Sequence, residues 1–135
     1  QVWDTRTNEK FLTDMCKTFK QAGIRTSIFV DPSAEMVEGA KAAGADRVEL
    51  YTEPYASMFL SNREAAIAPF IEAAKKAQQL QLGLNAGHEL NLENLNYFCK
   101  TIPWTDEVSI GHALVSDALY MGLQETIRKY LECLK

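Results

Sequence analysis

The fold is decided by one continuous stretch, TSIFVDPSAEMVEGAKAAGADRVELY, residues 26–51. Residues 26–30 are apolar and β-branched, which predicts a short buried strand, and residues 47–51 form the next strand. Between them, residues 34–43 predict a short helix that closes at Gly44, a residue typical of helix C-termini. A strand, a helix and a strand in this order predict parallel strands joined by a right-handed crossover.

The same alternation extends over the whole chain. A helix is predicted over 4–22, a loop over 52–62, a helix over 63–80, a strand with its turn over 81–87, a helix from Asn91 to 101, a strand over 107–111 and a last helix over 114–134. Pro69 either opens the main part of the third helix or kinks it. The last helix has one predicted apolar face, formed by Leu119, Leu123, Ile127, Leu131 and Leu134. This order predicts an α/β fold, either an open doubly wound sheet or part of a TIM (β/α)8 barrel.

Composition limits the classes of function. The 135 residues suit one domain or a piece of a larger one, and 47% apolar with 24% charged residues is ordinary for a globular protein. A net charge of −4 argues against nonspecific nucleic-acid binding. No apolar run approaches the ~20 residues that span a membrane, and no leader is visible. The chain has three widely spaced cysteines: Cys16, Cys99 and Cys133. Their spacing matches no zinc-binding pattern, and their odd number favours reduced thiols in a cytoplasmic protein.

Two Gly-His pairs each follow a predicted strand: Gly87-His88 and Gly111-His112. In parallel α/β folds, sites form at the carboxyl ends of strands, so the two pairs are expected to share one pocket. Histidine can exchange a proton near neutral pH. The alternative is that each histidine only caps a turn.

Gly111-His112 also precedes the last predicted helix. The unpaired amides and the positive dipole end at a helix start favour an anion such as phosphate. An ordinary strand-to-helix turn is the equally open alternative, since such turns also favour glycine.

Two carboxylates stand out beside these pairs. Glu49 lies inside a predicted parallel strand, where a charge is unusual because both faces are normally covered. It suits an acid–base group or one that holds a substrate amine, and the alternative is a salt bridge to Arg47 or to a neighbouring helix. Asp31 follows the first strand, but Asp-Pro-Ser is better explained as a turn and helix start.

Several of these motifs together resemble a known family. NAGHELN (85–91) and SIGHALVSDALYMGL (109–123) resemble the two C-terminal signatures of the pyridoxine 5'-phosphate synthase family, and the second is long and specific. IRTSIFVDP (24–32), AGADRVELYT (43–52) and the closing helix extend the resemblance to nearly all residues. VWDTRTNEKF (2–11) resembles an internal stretch of one branch of that family.

The resemblance implies a fold and a reaction. The family folds as a (β/α)8 barrel of roughly 240 residues, the usual size for such barrels. The chain would then be its C-terminal half, with strands 5–8 and their helices in one domain over 1–135, consistent with a start at Gln1 rather than methionine. The reaction condenses 1-deoxy-D-xylulose 5-phosphate with 3-amino-1-hydroxyacetone 1-phosphate to pyridoxine 5'-phosphate, phosphate and water. It requires neither a metal nor an organic cofactor.

The resemblance also assigns residues. His88 matches the proton donor, and Gly111 and His112 match the pair that binds the amino-ketone phosphate. Glu89 and Gly87, which flank His88, are carried as substrate contacts. If Glu89 contacts the substrate through its backbone amide, its side chain is harmless; if the side chain enters the pocket, charge repulsion would weaken phosphate binding. Glu49 matches a strand carboxylate that faces the barrel interior.

The other catalytic histidine and the general base of the family lie in the half that is not in this sequence. The resemblance therefore implies that this chain alone is nearly inactive, since each such group can contribute ~10²–10⁴-fold. The open strand edges of a half-barrel predict dimerisation or a partner fragment, and the family forms homo-oligomers. Two alternatives stay open: another enzyme that binds a phosphorylated sugar, and a non-catalytic phosphate-binding module.

Overall fold

The predicted alternation of helices and strands is present in a computed structural model, which describes residues 2–135. These residues form four strands, β1 (Ser27–Val30), β2 (Arg47–Tyr51), β3 (Gly83–His88) and β4 (Glu107–Ile110). They also form six helices, α1 (Glu9–Gln21), α2 (Ala34–Ala42), α3 (Glu53–Gln79), α4 (Leu95–Thr101), α5 (His112–Met121) and α6 (Leu123–Cys133). The predicted α/β fold class is confirmed. Within this part of the chain, no helix combines the length and hydropathy of a membrane span.

The sheet has two chemically different faces. All four strands are parallel and pair in chain order from β1 to β4. Helices α2 and α3 contact the strands, and one aligned row is fully buried in the first three strands: Val30, Leu50 and Ala86. Because successive side chains alternate, the neighbouring row points the other way: Phe29, Glu49, Asn85 and Glu107. This second face is called the open face below.

The sheet curls toward the open face. Arg25 precedes β1 and Glu107 begins β4, yet their side chains meet with Nη1–Oε1 and Nη2–Oε2 distances of 3.1 and 3.2 Å. Three strand spacings separate β1 from β4, about 14 Å in a flat sheet. The rings of Phe29 on β1 and His88 on β3 also approach to 5.3 Å across β2. Contacts that reach over intervening strands are expected of a curved, barrel-like sheet.

The helix after β2 differs from its prediction. The loop predicted over 52–62 is wrong, because α3 begins at Glu53 directly after β2. The helix is interrupted at Asn62, whose φ of −160° and ψ of 86° are not helical. Asn62 Oδ1 accepts a hydrogen bond from the Ala65 N–H (3.0 Å) and so caps the second segment. Pro69 lies inside that segment, beyond its first turn, so the interpretation that it opens the helix is wrong, while a kink at Pro69 stays a prediction.

Aromatic packing explains why residues 52–62 are helical. Tyr55, in the first turn of α3, is fully buried. Its ring packs edge-to-face against Phe98 and Phe70, with centroid distances of 5.3 and 5.8 Å. Its hydroxyl donates to the Asn94 carbonyl oxygen at 2.6 Å. This tertiary burial stabilises a segment whose sequence alone predicts a loop.

The last predicted helix is two helices. The chain turns at Gly122, which has a φ of +80°, and α5 and α6 lie on either side of it. The single helix predicted over 114–134 is therefore wrong. The apolar side chains assigned to its face are divided between α5 and α6 and are 42–82% exposed: Leu119, Leu123, Ile127, Leu131 and Leu134. Thr126 and Tyr130 are the buried residues of α6 instead.

Other helix ends shift for local reasons. Helix α1 begins at Glu9 rather than at residue 4, because residues 5–8 form a turn in which Asp4 Oδ1 accepts two backbone hydrogen bonds. Helix α4 begins at Leu95 rather than at Asn91, whose side chain likewise accepts two backbone bonds in the preceding turn. Strand β3 begins two residues later than the predicted segment and extends one residue further, so that it includes His88.

Candidate active site

The two Gly-His pairs meet at the carboxyl edge of the sheet. His88 ends β3 and Gly111 follows β4. The Gly111 N–H donates a hydrogen bond to the His88 carbonyl oxygen at 3.0 Å. A Cβ at Gly111 would lie 3.2 Å from that oxygen, so glycine permits the close contact. The two pairs therefore adjoin, while the shared pocket and the roles of these residues stay predictions.

The His88 side chain lies beside aromatic rings on the open face. Phe29 stands edge-to-face with the imidazole at a centroid distance of 5.3 Å and with the Tyr51 ring at 5.5 Å. The His88 residue is exposed, and within residues 2–135 its imidazole forms no hydrogen bond. An exposed imidazole with both nitrogens available can exchange a proton with a ligand.

The backbone around His88 is held at three successive residues. The Thr52 N–H donates to the Gly87 carbonyl oxygen at 3.1 Å, and the Glu89 N–H donates to Thr52 Oγ1 at 3.0 Å. The Gly111 bond to His88 completes the set. Thr52 directly follows β2 and is fully buried. The exposed side chain thus projects from a fixed main chain.

Glu49 lies on the open face near the same edge. It is half-buried and, within the described residues, forms no ion pair. The alternative of a salt bridge to Arg47 is wrong, because Arg47 Nη1 donates to Asn85 Oδ1 at 3.0 Å and lies 3.4 Å from Asp106 Oδ2. A Cβ built on Gly87 would lie 3.0 Å from Glu49 Oε1. The carboxylate therefore adjoins the residue that precedes His88.

Gly87 has a packing reason to be glycine. A Cβ at this position would lie 2.6 Å from the Ser109 carbonyl oxygen and 2.8 Å from Ser109 Cβ on the neighbouring strand. Such distances are too short for real atoms, so no side chain fits without a shift of β4 relative to β3. The glycine allows the two strands that carry the Gly-His pairs to lie close together.

The start of α5 is available to an anion. His112 is exposed and is the first residue of this ten-residue helix. Within the described residues no side chain caps this end, and its first turn contains no acidic residue. The helix dipole and the amides of this turn therefore favour a negative group. Sequence and structure agree on this geometry, and the anion is a prediction.

The opposite, amino end of the open face is a network of charged and polar groups. Asn85 Nδ2 donates to Glu107 Oε2 at 3.1 Å, beside the Arg47 and Arg25 contacts. Hydrogen bonding to the Arg25 guanidinium lowers the pKa of the Glu107 carboxyl. These charges neutralise each other, which distinguishes this end from the carboxyl edge, where Glu49 is unpaired among residues 2–135.

The remaining candidates do not join the site. Asp31 is exposed and lies in the turn before α2, where Ser33 Oγ accepts from the Met36 N–H at 3.2 Å; the turn interpretation is confirmed. Burial raises the pKa of the Cys99 and Cys133 thiols, which disfavours the nucleophilic thiolate. No cluster of three or more potential metal ligands occurs within residues 2–135.

Sequence reasoning missed Thr52 and Phe29. Phe29 could have been found by strand alternation once the register was known, because it is aligned with Glu49. The only sequence signal for Thr52 was its position directly after a predicted strand.

The profile of one protein family, described as "Pyridoxal phosphate biosynthesis protein PdxJ", matches residues 1–135. The chain belongs to this family. Curated relatives named "Pyridoxine 5'-phosphate synthase" include proteins of Phocaeicola vulgatus, Cytophaga hutchinsonii and Bacteroides thetaiotaomicron, which are 67%, 65% and 64% identical over 133 residues. Each match covers 98% of this chain and 56% of the relative. The chain thus spans about half the length of these PdxJ-family relatives.

Proposed function

We propose that this chain is the C-terminal half of a pyridoxine 5'-phosphate synthase. The complete enzyme would condense 1-deoxy-D-xylulose 5-phosphate with 3-amino-1-hydroxyacetone 1-phosphate, releasing phosphate and water. The observation that carries the proposal is the contact between the two Gly-His pairs at the carboxyl edge of the sheet. This contact lies in a chain of which 133 residues align with relatives that bear that enzyme name.

The proposed architecture is a half-barrel formed by one domain over 1–135. The curl of the sheet supports it, because the four strands bend toward the face that would be the barrel interior. Apolar surface at both edges also supports it. Beside β1, a groove of about 410 Å³ includes Trp3, Phe11 and Phe19 in its lining. Beside β4, the leucine-rich face of α5 and α6 is exposed. The missing half would cover both.

In this proposal His88 donates a proton to the bound substrate. Its exposed imidazole and fixed backbone suit that role, since a proton donor must lie within hydrogen-bond reach of its acceptor. Glu49, beside Gly87 on the same face, would attract a substrate amine or stabilise positive charge formed during the condensation. Gly87 would contribute by keeping these two groups close.

The phosphate of the amino-ketone would bind at the start of α5. Gly111 and His112 provide this end of the helix, and a protonated His112 would add a positive charge. The Glu89 N–H is already bonded to Thr52, so we assign the phosphate to α5 rather than to that amide. Any contact of Glu89 with substrate would use its side chain, whose charge repels phosphate.

We further propose that the complete enzyme works without metal or organic cofactor, in the cytoplasm, and as a homo-oligomer. The three free cysteines support a reducing compartment. The exposed apolar edges support association with another chain.

The test is formation of pyridoxine 5'-phosphate from the two substrates. This chain would be assayed alone and mixed with the N-terminal part of the Phocaeicola vulgatus relative that it does not match. We expect product only in the mixture, and its loss with His88→Ala. Product from this chain alone at the rate of a complete enzyme would contradict the half-enzyme proposal. No product from a mixture shown to assemble would contradict the function.

A further inference from the structure

We propose that Thr52 is a positioning residue for His88. It would fix the main chain on both sides of the proton donor and so hold the imidazole where the substrate needs it. This inference rests on the proposed function for its catalytic meaning, while the positioning itself can be measured on the chain alone.

Two hydrogen bonds of one residue bracket His88. Through its backbone N–H, Thr52 binds the residue before the histidine, with 3.1 Å to the Gly87 carbonyl oxygen. Through its side chain, Thr52 Oγ1 binds the residue after it, with 3.0 Å to the Glu89 nitrogen. The first bond needs only a backbone, and the second needs a hydroxyl at position 52. The hydroxyl is therefore the part of Thr52 that a substitution can test.

These two hydrogen bonds of Thr52, called the clamp below, start from a buried residue and are themselves supported. Thr52 is fully buried, and Asn94, at 2% exposure, donates from Nδ2 to the Glu89 carbonyl oxygen at 3.2 Å. The Asn94 carbonyl in turn accepts the Tyr55 hydroxyl. Because Thr52 is fully buried, replacing its hydroxyl by a methyl group would leave the Glu89 N–H facing an apolar side chain instead of an acceptor. The segment after His88 would then have to move.

The exposed imidazole has few other restraints. Within residues 2–135 it forms no hydrogen bond, and its one aromatic contact is with Phe29. Misplacement by about 1 Å can reduce a rate by ~10²-fold. A small shift of residues 87–89 is thus expected to change catalysis more than stability.

The first experiment follows His88 and the Glu89 amide by NMR in this chain. Thr52→Val removes the hydroxyl at nearly constant shape, Thr52→Ser keeps it, and Thr126→Val is the matched control. Thr126 on α6 is also fully buried, and its hydroxyl donates to the carbonyl oxygen of Gly122, the residue before that helix. We expect Thr52→Val to shift the His88 imidazole signals and to accelerate Glu89 amide exchange at least tenfold. Thr52→Ser and Thr126→Val should leave both near wild type.

Several results would overturn the proposal. One is an unchanged His88 signal in a folded Thr52→Val protein, and another is an equal shift with Thr126→Val. Thr52→Val could also fail to fold. In that case the wild-type chain and Thr52→Ser decide. A wild-type Glu89 amide that exchanges as fast as exposed amides would contradict the clamp. A displaced His88 in Thr52→Ser would also contradict it.

The second experiment separates positioning from the proposed function. In the assembly with the N-terminal part of the relative, Thr52→Val should lower kcat about tenfold with KM changed less than twofold, and Thr52→Ser should restore kcat. A normal kcat in Thr52→Val would overturn the catalytic meaning. If the wild-type assembly makes no product, the proposed function fails, and the NMR result alone decides whether Thr52 positions His88.

Discussion

Arg25 and Glu107 form a two-point ion pair that joins the segment before β1 to the first residue of β4. The pair crosses the open face and links the two edges of the sheet at its amino end. At the carboxyl end, the Gly111–His88 bond connects the end of β4 to β3, and the Phe29–His88 contact connects β1 to β3. The curvature that brings the candidate site together is thus supported at both ends.

The ion pair predicts an acid-dependent loss of stability. The pKa of Glu107 is lowered from its ordinary value of 4.5 by hydrogen bonding to Arg25. A lowered folded-state pKa contributes stability above the unfolded value, and that stability is lost as the pH falls through the folded value. Glu107→Gln should therefore show a shallower decline in the free energy of unfolding below pH 4.5 than wild type, measured by urea titration at several pH values.

A matched control separates this pair from general acid effects. Glu64 is exposed on α3 and forms no ion pair within the described residues. Glu64→Gln should reproduce the wild-type decline. Equal slopes for wild type and Glu107→Gln would show that the pair does not stabilise the folded sheet.

The strand contact at Gly87 predicts a large effect of one methyl group. In Gly87→Ala the new Cβ would collide with the Ser109 carbonyl oxygen and Cβ, and we expect a loss of about 3 kcal/mol, at the upper end for overpacking. Gly111→Ala, whose Cβ contacts begin at 3.2 Å, should lose about 1 kcal/mol or less. Chemical denaturation measures both. The reverse order would contradict the observed packing of β3 against β4.

The orientation of α5 against α6 predicts a specific role for one hydroxyl. Tyr130 is buried and donates to Asp117 Oδ2 at 2.8 Å, and burial with the nearby carboxylate raises its pKa. Tyr130→Phe leaves Asp117 without this donor, so we expect a loss of about 1.5–3 kcal/mol, typical of bonds to charged groups. Tyr120→Phe, at a residue 90% exposed, should change stability by less than about 0.5 kcal/mol. Equal losses of stability in Tyr130→Phe and Tyr120→Phe would contradict a stabilising role for the Tyr130–Asp117 hydrogen bond.

The apolar surface of α5 and α6 predicts self-association of this chain alone. Leu119 is 82% exposed among other apolar residues of these helices. Leu119→Lys should lower the apparent mass in light scattering at high concentration, because a charge disfavours burial of this face. Leu60→Lys on α3, at the same 82% exposure, is the control and should have less effect. A wild-type chain that stays monomeric would contradict the prediction.

The approach of His88 and Gly111 could be predicted from the sequence because it follows from topology. Each pair follows a parallel strand, and the ends of neighbouring parallel strands lie at one edge. The two strands within residues 26–51 could likewise be predicted, because their signal is the local periodicity of apolar residues. These inferences do not depend on which side chains meet.

The missed features all depend on partners distant in sequence. The helical start of α3 depends on Tyr55 packing against Phe98, and the turn at Gly122 accompanies the packing of α5 against α6. A glycine inside an apolar helical pattern did not by itself signal a break. Thr52 acquires its contacts only because the Glu89 segment lies opposite it. Such contacts cannot be derived from spacing along one chain.

If the proposed function holds, substitutions of the two histidines should have different kinetic effects in the assembled enzyme. His88→Ala removes the proton donor and should lower kcat by ~10²–10⁴-fold with little change in KM. His112→Ala removes a group from the proposed phosphate site and should mainly raise KM for the amino-ketone phosphate, because the amides of α5 remain. Steady-state kinetics with each substrate varied would measure both. A large loss of kcat with His112→Ala and none with His88→Ala would reverse the assignment, placing the proton donor at the end of β4 rather than β3.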